Sequence, residues 1–161
     1  MSKLANMPKD KEYLTEAKFN EFKAELGELK TKKRKEIAEA LEFAKSLGDL
    51  SENAEYHDAR DMQARVEDRI NHLETLLKTA SIVAAHNTDF VNVGATITLS
   101  REGSKENIIY TIVGAEESDV SLGKISMRSP LGLAVMGKKK NDAFAFKTPG
   151  GTVNYKVIDI K

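Results

Sequence analysis

The chain has 161 residues, with 25 Lys and Arg balanced by 25 Asp and Glu, no formal net charge and no cysteine. Balanced charge argues against attachment to nucleic acid by bulk electrostatics alone, and the missing cysteine removes disulfides, thiolate metal sites and cysteine nucleophiles. No apolar run approaches the roughly 20 residues of a membrane span, and Met1 to Asp10 lacks the apolar stretch of a secretory signal, so a cytoplasmic protein with no membrane partner is expected.

From about Thr15, apolar residues fall at Phe19, Phe22, Leu26, Leu29, Ile37, Ala40, Leu41, Ala44 and Leu47. Steps of three and four residues predict one face of a long helix. Lys33 stands where the stripe wants an apolar residue, with a stem long enough to snorkel its ammonium outward. The basic run Lys30, Lys32, Lys33, Arg34 and Lys35 reads in two ways. It is either a solvated face braced by Glu28–Lys32 and Lys35–Glu39 pairs, or a contact surface for a partner.

The segment Gly48-Asp49-Leu50-Ser51-Glu52-Asn53-Ala54-Glu55-Tyr56 then breaks the stripe with acid. A second stripe follows at Tyr56, Ala59, Met62, Val66, Ile70, Leu73, Leu77 and Ala80. Each helix runs for roughly 30 residues, so at about 1.5 Å per residue each spans about 45 Å. Two helices of matched length joined by a short break predict an antiparallel coiled-coil hairpin with the acidic segment at its tip.

Past about Ala85 the period changes to that of a small α+β domain. Val93, Ala95, Ile97 and Leu99 alternate with polar residues, and Asn107 to Val113 and Thr152 to Ile160 are further strands. Lys124 to Arg128 and Ala143 to Lys147 are shorter ones. Ser129 as N-cap, Pro130 at the first helical position and Gly137 past the end frame a short helix. The expected domains are 1–84, the hairpin, and 85–161, with the joint near Ser81 to Asn92.

At the tip Asp49, Glu52, Glu55, Asp58 and Asp61 recur every third residue, giving a local charge of about −4 at ordinary pKa values. On a helix a step of three turns about 300°, so the row drifts about 60° per step and only adjacent acids can share an ion. Asp49 and Glu52 also have the spacing of a capping box, and Ser51 is an equally good N-cap; spacing does not decide between cap and ligand. As ligands, two hard carboxylates suit Mg²⁺, which takes one or two protein carboxylates and completes its shell with water and phosphate oxygens. His57 and Asp61 lie four apart, but an exposed helix histidine is the simpler reading. No Ser/His/Asp motif or glycine-rich phosphate loop is present.

The tip sequence, with His57 after it, closely resembles the tip of the bacterial Gre transcript-cleavage factors, on the GreA-like branch. Tyr13-Leu14-Thr15, Gly123-Lys124-Ile125-Ser126, Ser129-Pro130, Gly137-Lys138 and Thr148-Pro149-Gly150-Gly151 match in the same order. The resemblance implies a C-terminal domain of FKBP-like fold that docks on RNA polymerase, and a hairpin entering the secondary channel toward the active site. It implies an accessory factor, expected to be monomeric and not itself an enzyme, that stimulates the polymerase's cleavage of backtracked nascent RNA. By position, Asp49 and Glu52 would help hold a catalytic Mg²⁺ shared with the polymerase. Ser51, Asn53, Glu55 and Tyr56 would shape the tip, Lys30, Lys33 and Arg34 would approach the RNA 3′ end, and Ser129 and Pro130 would dock. Asp58 and Asp61 make the flank more acidic than the family pattern. The alternatives are a channel regulator of the same fold that inhibits cleavage, which the intact Asp49 and Glu52 argue against, and a prolyl isomerase, which needs a deep aromatic-lined pocket where this half has only Phe90, Tyr110, Phe144, Phe146 and Tyr155.

Overall fold

The computed structural model describes residues 11–83 and 89–161. The expected joint at 84/85, His86 and Met1 to Asp10 lie outside them. The described chain forms two compact units. One is the hairpin from Phe19 to Thr79; the other joins the residues up to Lys18 with those from Ala80 onward.

The hairpin contains α1 (Glu16–Glu28), α2 (Arg34–Ser46) and α3 (Ala54–Thr79). Ile37, Val66 and Ile70 are buried in its seam, with Leu26, Leu29 and Leu41 packed against them. Arg69 forks onto Glu25 at 2.7 and 2.9 Å and lies 5.5 Å from the centre of the Phe22 ring. Arg34 forks onto Glu67 at 2.7 and 2.6 Å. Exposed pairs of this kind add little stability, but two bidentate forks fix the register of the two arms.

Two details differ from the expected stripes. A π-helical turn at Leu29–Lys33 separates α1 from α2. Leu29 to Ile37 is a step of eight, which turns about 80° beyond two full turns of a regular helix. A wider turn absorbs the extra residue and returns Ile37 to the seam. Its backbone bond shows the shift: the Arg34 N–H reaches the Leu29 carbonyl, five residues back. Lys33 therefore stands outside the seam and pairs with Glu36 at 2.7 Å. Secondly, Leu47 and Met62 are 54% and 45% exposed. The α3 seam runs instead through half-buried Gln63 and buried Leu76, which keep the three–four spacing with Ala59, Val66 and Leu73.

The second unit carries all five expected strands as one sheet. In chain order they are β3 (Thr96–Arg101), β4 (Asn107–Val113), β5 (Lys124–Ser126), β6 (Ala143–Thr148) and β7 (Gly151–Ile160). Their order across the sheet is β5-β4-β3-β7-β6, antiparallel except for β5 on β4. The alternation read from Ile97 and Leu99 buries both side chains, with Ile112, Val157 and Phe144, under the short helix α4 (Pro130–Val135). Ser129 caps α4 as expected, its Oγ accepting from the Gly132 N–H at 3.0 Å, and Gly137 takes φ +76 past the end.

A strand pair not foreseen from sequence completes this unit. β1 (Tyr13–Thr15) and β2 (Ser81–Val83), immediately outside the two helical arms, run parallel with Tyr13 opposite Ser81. Tyr13 and Leu14 are buried. Gly114 makes the close approach possible, because a Cβ there would lie 1.8 Å from the Tyr13 carbonyl oxygen.

Candidate functional site

The tip is built from the end of α2 to the start of α3. After Ser46 the chain makes one further turn, with Leu47 N–H donating to the Ala44 carbonyl at 3.2 Å. Gly48 then reverses it at φ +113, a left-handed conformation suited to glycine. Asp49 closes a local turn: its Oδ1 accepts from the Ser51 N–H at 3.0 Å and from Ser51 Oγ at 2.8 Å. The backbone bond, then the hydroxyl bond, hold the Asp49 carboxyl below its ordinary pKa.

The cap of α3 is neither of the residues that spacing offered. Asn53 takes it, with Oδ1 accepting from the Tyr56 N–H at 3.0 Å. Asn, Asp and Ser cap about equally well, and here the helix starts at Ala54, which puts Asn53 in the capping position. The capping-box reading of Asp49 and Glu52 is therefore overturned, and neither carboxylate is spent on the helix end. Glu52 is exposed, and among the described residues it has no hydrogen-bond or ion-pair partner. Glu55 is exposed in the first turn of α3. Tyr56 is half-buried and meets His57 edge-on, 5.9 Å between ring centres.

Asp49 Oδ2 and both oxygens of Glu52 thus carry no bond among the described residues, and hard carboxylate oxygens of this kind fit Mg²⁺. Among the described residues no group of three or more His, Asp or Glu side chains is placed to hold a metal. Two carboxylates would supply at most part of an Mg²⁺ shell, and phosphate oxygens and water from outside the chain would have to complete it.

Family models match almost the whole described chain. The transcription elongation factor N-terminal model covers residues 12–82, and the GreA/GreB C-terminal model covers 86–161. This chain belongs to the GreA/GreB transcription elongation factor family. It is 44% identical to transcription elongation factor GreA of Chloroherpeton thalassium over 154 residues, 94% of this chain and 98% of the relative. Identity to GreA of Bartonella tribocorum is 41%, over 92% and 96% of the two chains. Among solved structures, GreA factor homolog 1 of Thermus thermophilus is 26% identical over 94% and 99% of the chains, with a TM-score of 0.41.

In this GreA/GreB family member, the three cations proposed from sequence to approach RNA are all engaged. Lys30 pairs with Glu74, Lys33 with Glu36 at 2.7 Å and Arg34 with Glu67. The bracing pairs Lys32–Glu28 and Lys35–Glu39 also form, at 3.4 and 3.8 Å.

Ser129 and Pro130 lie on the other unit, at the start of α4. Ser129 Oγ also donates to the Ser126 carbonyl at 2.7 Å, and both residues line an apolar groove of about 300 Å³ with Val120, Ile125, Leu131 and Phe146. Nearby Val120 and Leu122, 73% and 71% exposed, sit on a single 3₁₀ turn, Val120–Leu122. So short a turn has no period by which sequence could have flagged them. Of the five aromatics in this half, three stack on one another: Tyr155 on Phe144 at 6.0 Å and on Phe146 at 5.8 Å.

Proposed function

We propose that this chain is an accessory factor that binds bacterial RNA polymerase at its secondary channel and stimulates the polymerase's own cleavage of backtracked nascent RNA. One observation carries the reading within the family: Asn53 takes the helix cap, which leaves Glu52 without a partner among the described residues and Asp49 bonded through one oxygen to Ser51 alone, both exposed at the end of a hairpin. Such a tip has no core of its own to build and is suited to delivering charge into another molecule's active centre. A Mg²⁺ held jointly with the polymerase would supply Lewis acidity and an activated water. The chain's part is to present two carboxylates near the RNA 3′ end, with Asp49 held in its turn by Ser51. The groove at Ser129 and Pro130 is the docking surface in this reading, and the factor acts as a cytoplasmic monomer without catalysis of its own.

The test uses purified polymerase stalled on a defined backtracked template. Added factor should accelerate shortening of the RNA, while Asp49→Asn and Glu52→Gln should keep the wild-type half-saturating concentration and lose the acceleration. Full stimulation by both variants would refute the role of the acids. Slowed cleavage with the wild-type factor would establish the inhibitory alternative.

A further inference from the structure

We infer that Asn53 is the positioning residue of the tip, tying the end of α2 to the start of α3 and so fixing where Asp49 and Glu52 stand. Its consequence for cleavage rests on the function proposed above; the brace itself does not.

The side-chain amide makes one bond to each helix. Oδ1 accepts from the Tyr56 N–H at 3.0 Å, and Nδ2 donates to the Ala44 carbonyl at 2.6 Å. The reverse orientation of the amide would face donor to donor and acceptor to acceptor, so these partners settle which end is nitrogen. Ala44 is fully buried, and its carbonyl also accepts from the Leu47 N–H, so Asn53 grips α2 at a buried residue near its end. Between that point and Ala54 the remaining polar bonds are short-range. Asp49 is tied to Ser51, two residues on, Gly48 N–H to the Lys45 carbonyl at 3.5 Å, and the Ser51 carbonyl lies 3.4 Å from His57 Nε2 in the first turn of α3, a bond that reaches one arm but not both. Local turns shape the loop but do not join it across the two arms. Asn53 does both, and it is half-buried between them.

Capping and bracing can be separated chemically. Aspartate caps a helix as well as asparagine, but it has no N–H to give and sets a carboxylate against the Ala44 carbonyl. Asn53→Asp therefore keeps the cap and removes the brace, whereas Asn53→Ala removes both.

The experiment has two arms on the full chain. In the free protein, amide hydrogen exchange at residues 47–52 should be faster in Asn53→Asp than in wild type, with exchange in the middle of α3 unchanged. With polymerase on a backtracked template, Asn53→Asp should keep the wild-type half-saturating concentration. Its maximal stimulated cleavage should fall about ten- to a hundredfold, the scale expected from misplacing reacting groups by about 1 Å, and more Mg²⁺ should be needed to reach it. Identical loop exchange in Asn53→Asp and wild type would overturn the brace. Faster exchange with undiminished cleavage would overturn its positioning role. A wild-type factor that stimulates nothing would instead overturn the proposed function, and the exchange arm would still decide on the brace.

Discussion

Asp49 and Ser51 show how one short turn sets a charge. Because the bonds from Ser51 lower the folded-state pKa of Asp49, they stabilise the fold above the ordinary carboxylate pKa, and that contribution is lost as pH falls through the lowered value. Ser51→Ala keeps the backbone bond and removes the hydroxyl, so the Asp49 midpoint followed by carboxyl NMR should move up toward its ordinary value; an unmoved midpoint would remove Ser51 from that role. Glycines offer a second contrast between single residues. A Cβ at Gly132 would lie 2.1 Å from the Ser126 carbonyl oxygen, whereas one at Gly27 would meet nothing within 4 Å. Gly132→Ala should cost about 1–3 kcal/mol through forced repacking, and Gly27→Ala should gain about 0.4–1 kcal/mol by stiffening the unfolded chain in an exposed helix. Urea unfolding of the two variants checks both signs. The cap, by contrast, was beyond sequence reading: Asp49, Ser51 and Asn53 are near-equal capping residues within five positions, and the helix start that chooses among them depends on where α2 ends.

Among the elements, the hairpin was legible because its seam repeats over many turns, and the five strands because each alternates or is bounded by turn residues. The π turn left a trace in the eight-residue step from Leu29 to Ile37, but a snorkelling lysine explains the same trace, and only the backbone bonds separate the two. Deleting Thr31 shortens that step to seven, the length a regular helix closes. The deletion should leave far-ultraviolet helicity undiminished and the melting temperature no lower; a large loss of helicity would mean that the wide turn holds the seam for another reason. Arg34 and Glu67 act at this scale as well. Their bond lowers the Glu67 pKa, so its support for the hairpin is present at neutral pH and fades as pH falls through that lowered value. Arg34→Ala should return the Glu67 midpoint upward in an NMR titration.

For the molecule as a whole, the unforeseen feature is the unit assembled from both sides of the hairpin. Three-residue strands carry no readable period, and β1 pairs with a strand that follows about 60 residues of helical hairpin, so nothing local announced it. Thr15 anchors it: the hydroxyl caps α1 by accepting from the Lys18 N–H at 3.3 Å and donates to the buried Glu117 carboxylate at 3.0 and 2.9 Å. Lys124 approaches the same carboxylate at 3.3 Å. Thr15→Val should lose about 1–3 kcal/mol by stranding part of that carboxylate, and Thr15→Ser should recover most of it; equal stability of all three in urea would discount the anchor. The same connectivity dictates an order of assembly during synthesis. The hairpin needs only neighbours in sequence and can form as it leaves the ribosome, but Thr15 must wait for a partner 102 residues further along. Until that partner emerges, Tyr13 and Leu14 have no Gly114 backbone to lie against, so a truncated or stalled nascent chain exposes them to chaperones and proteases.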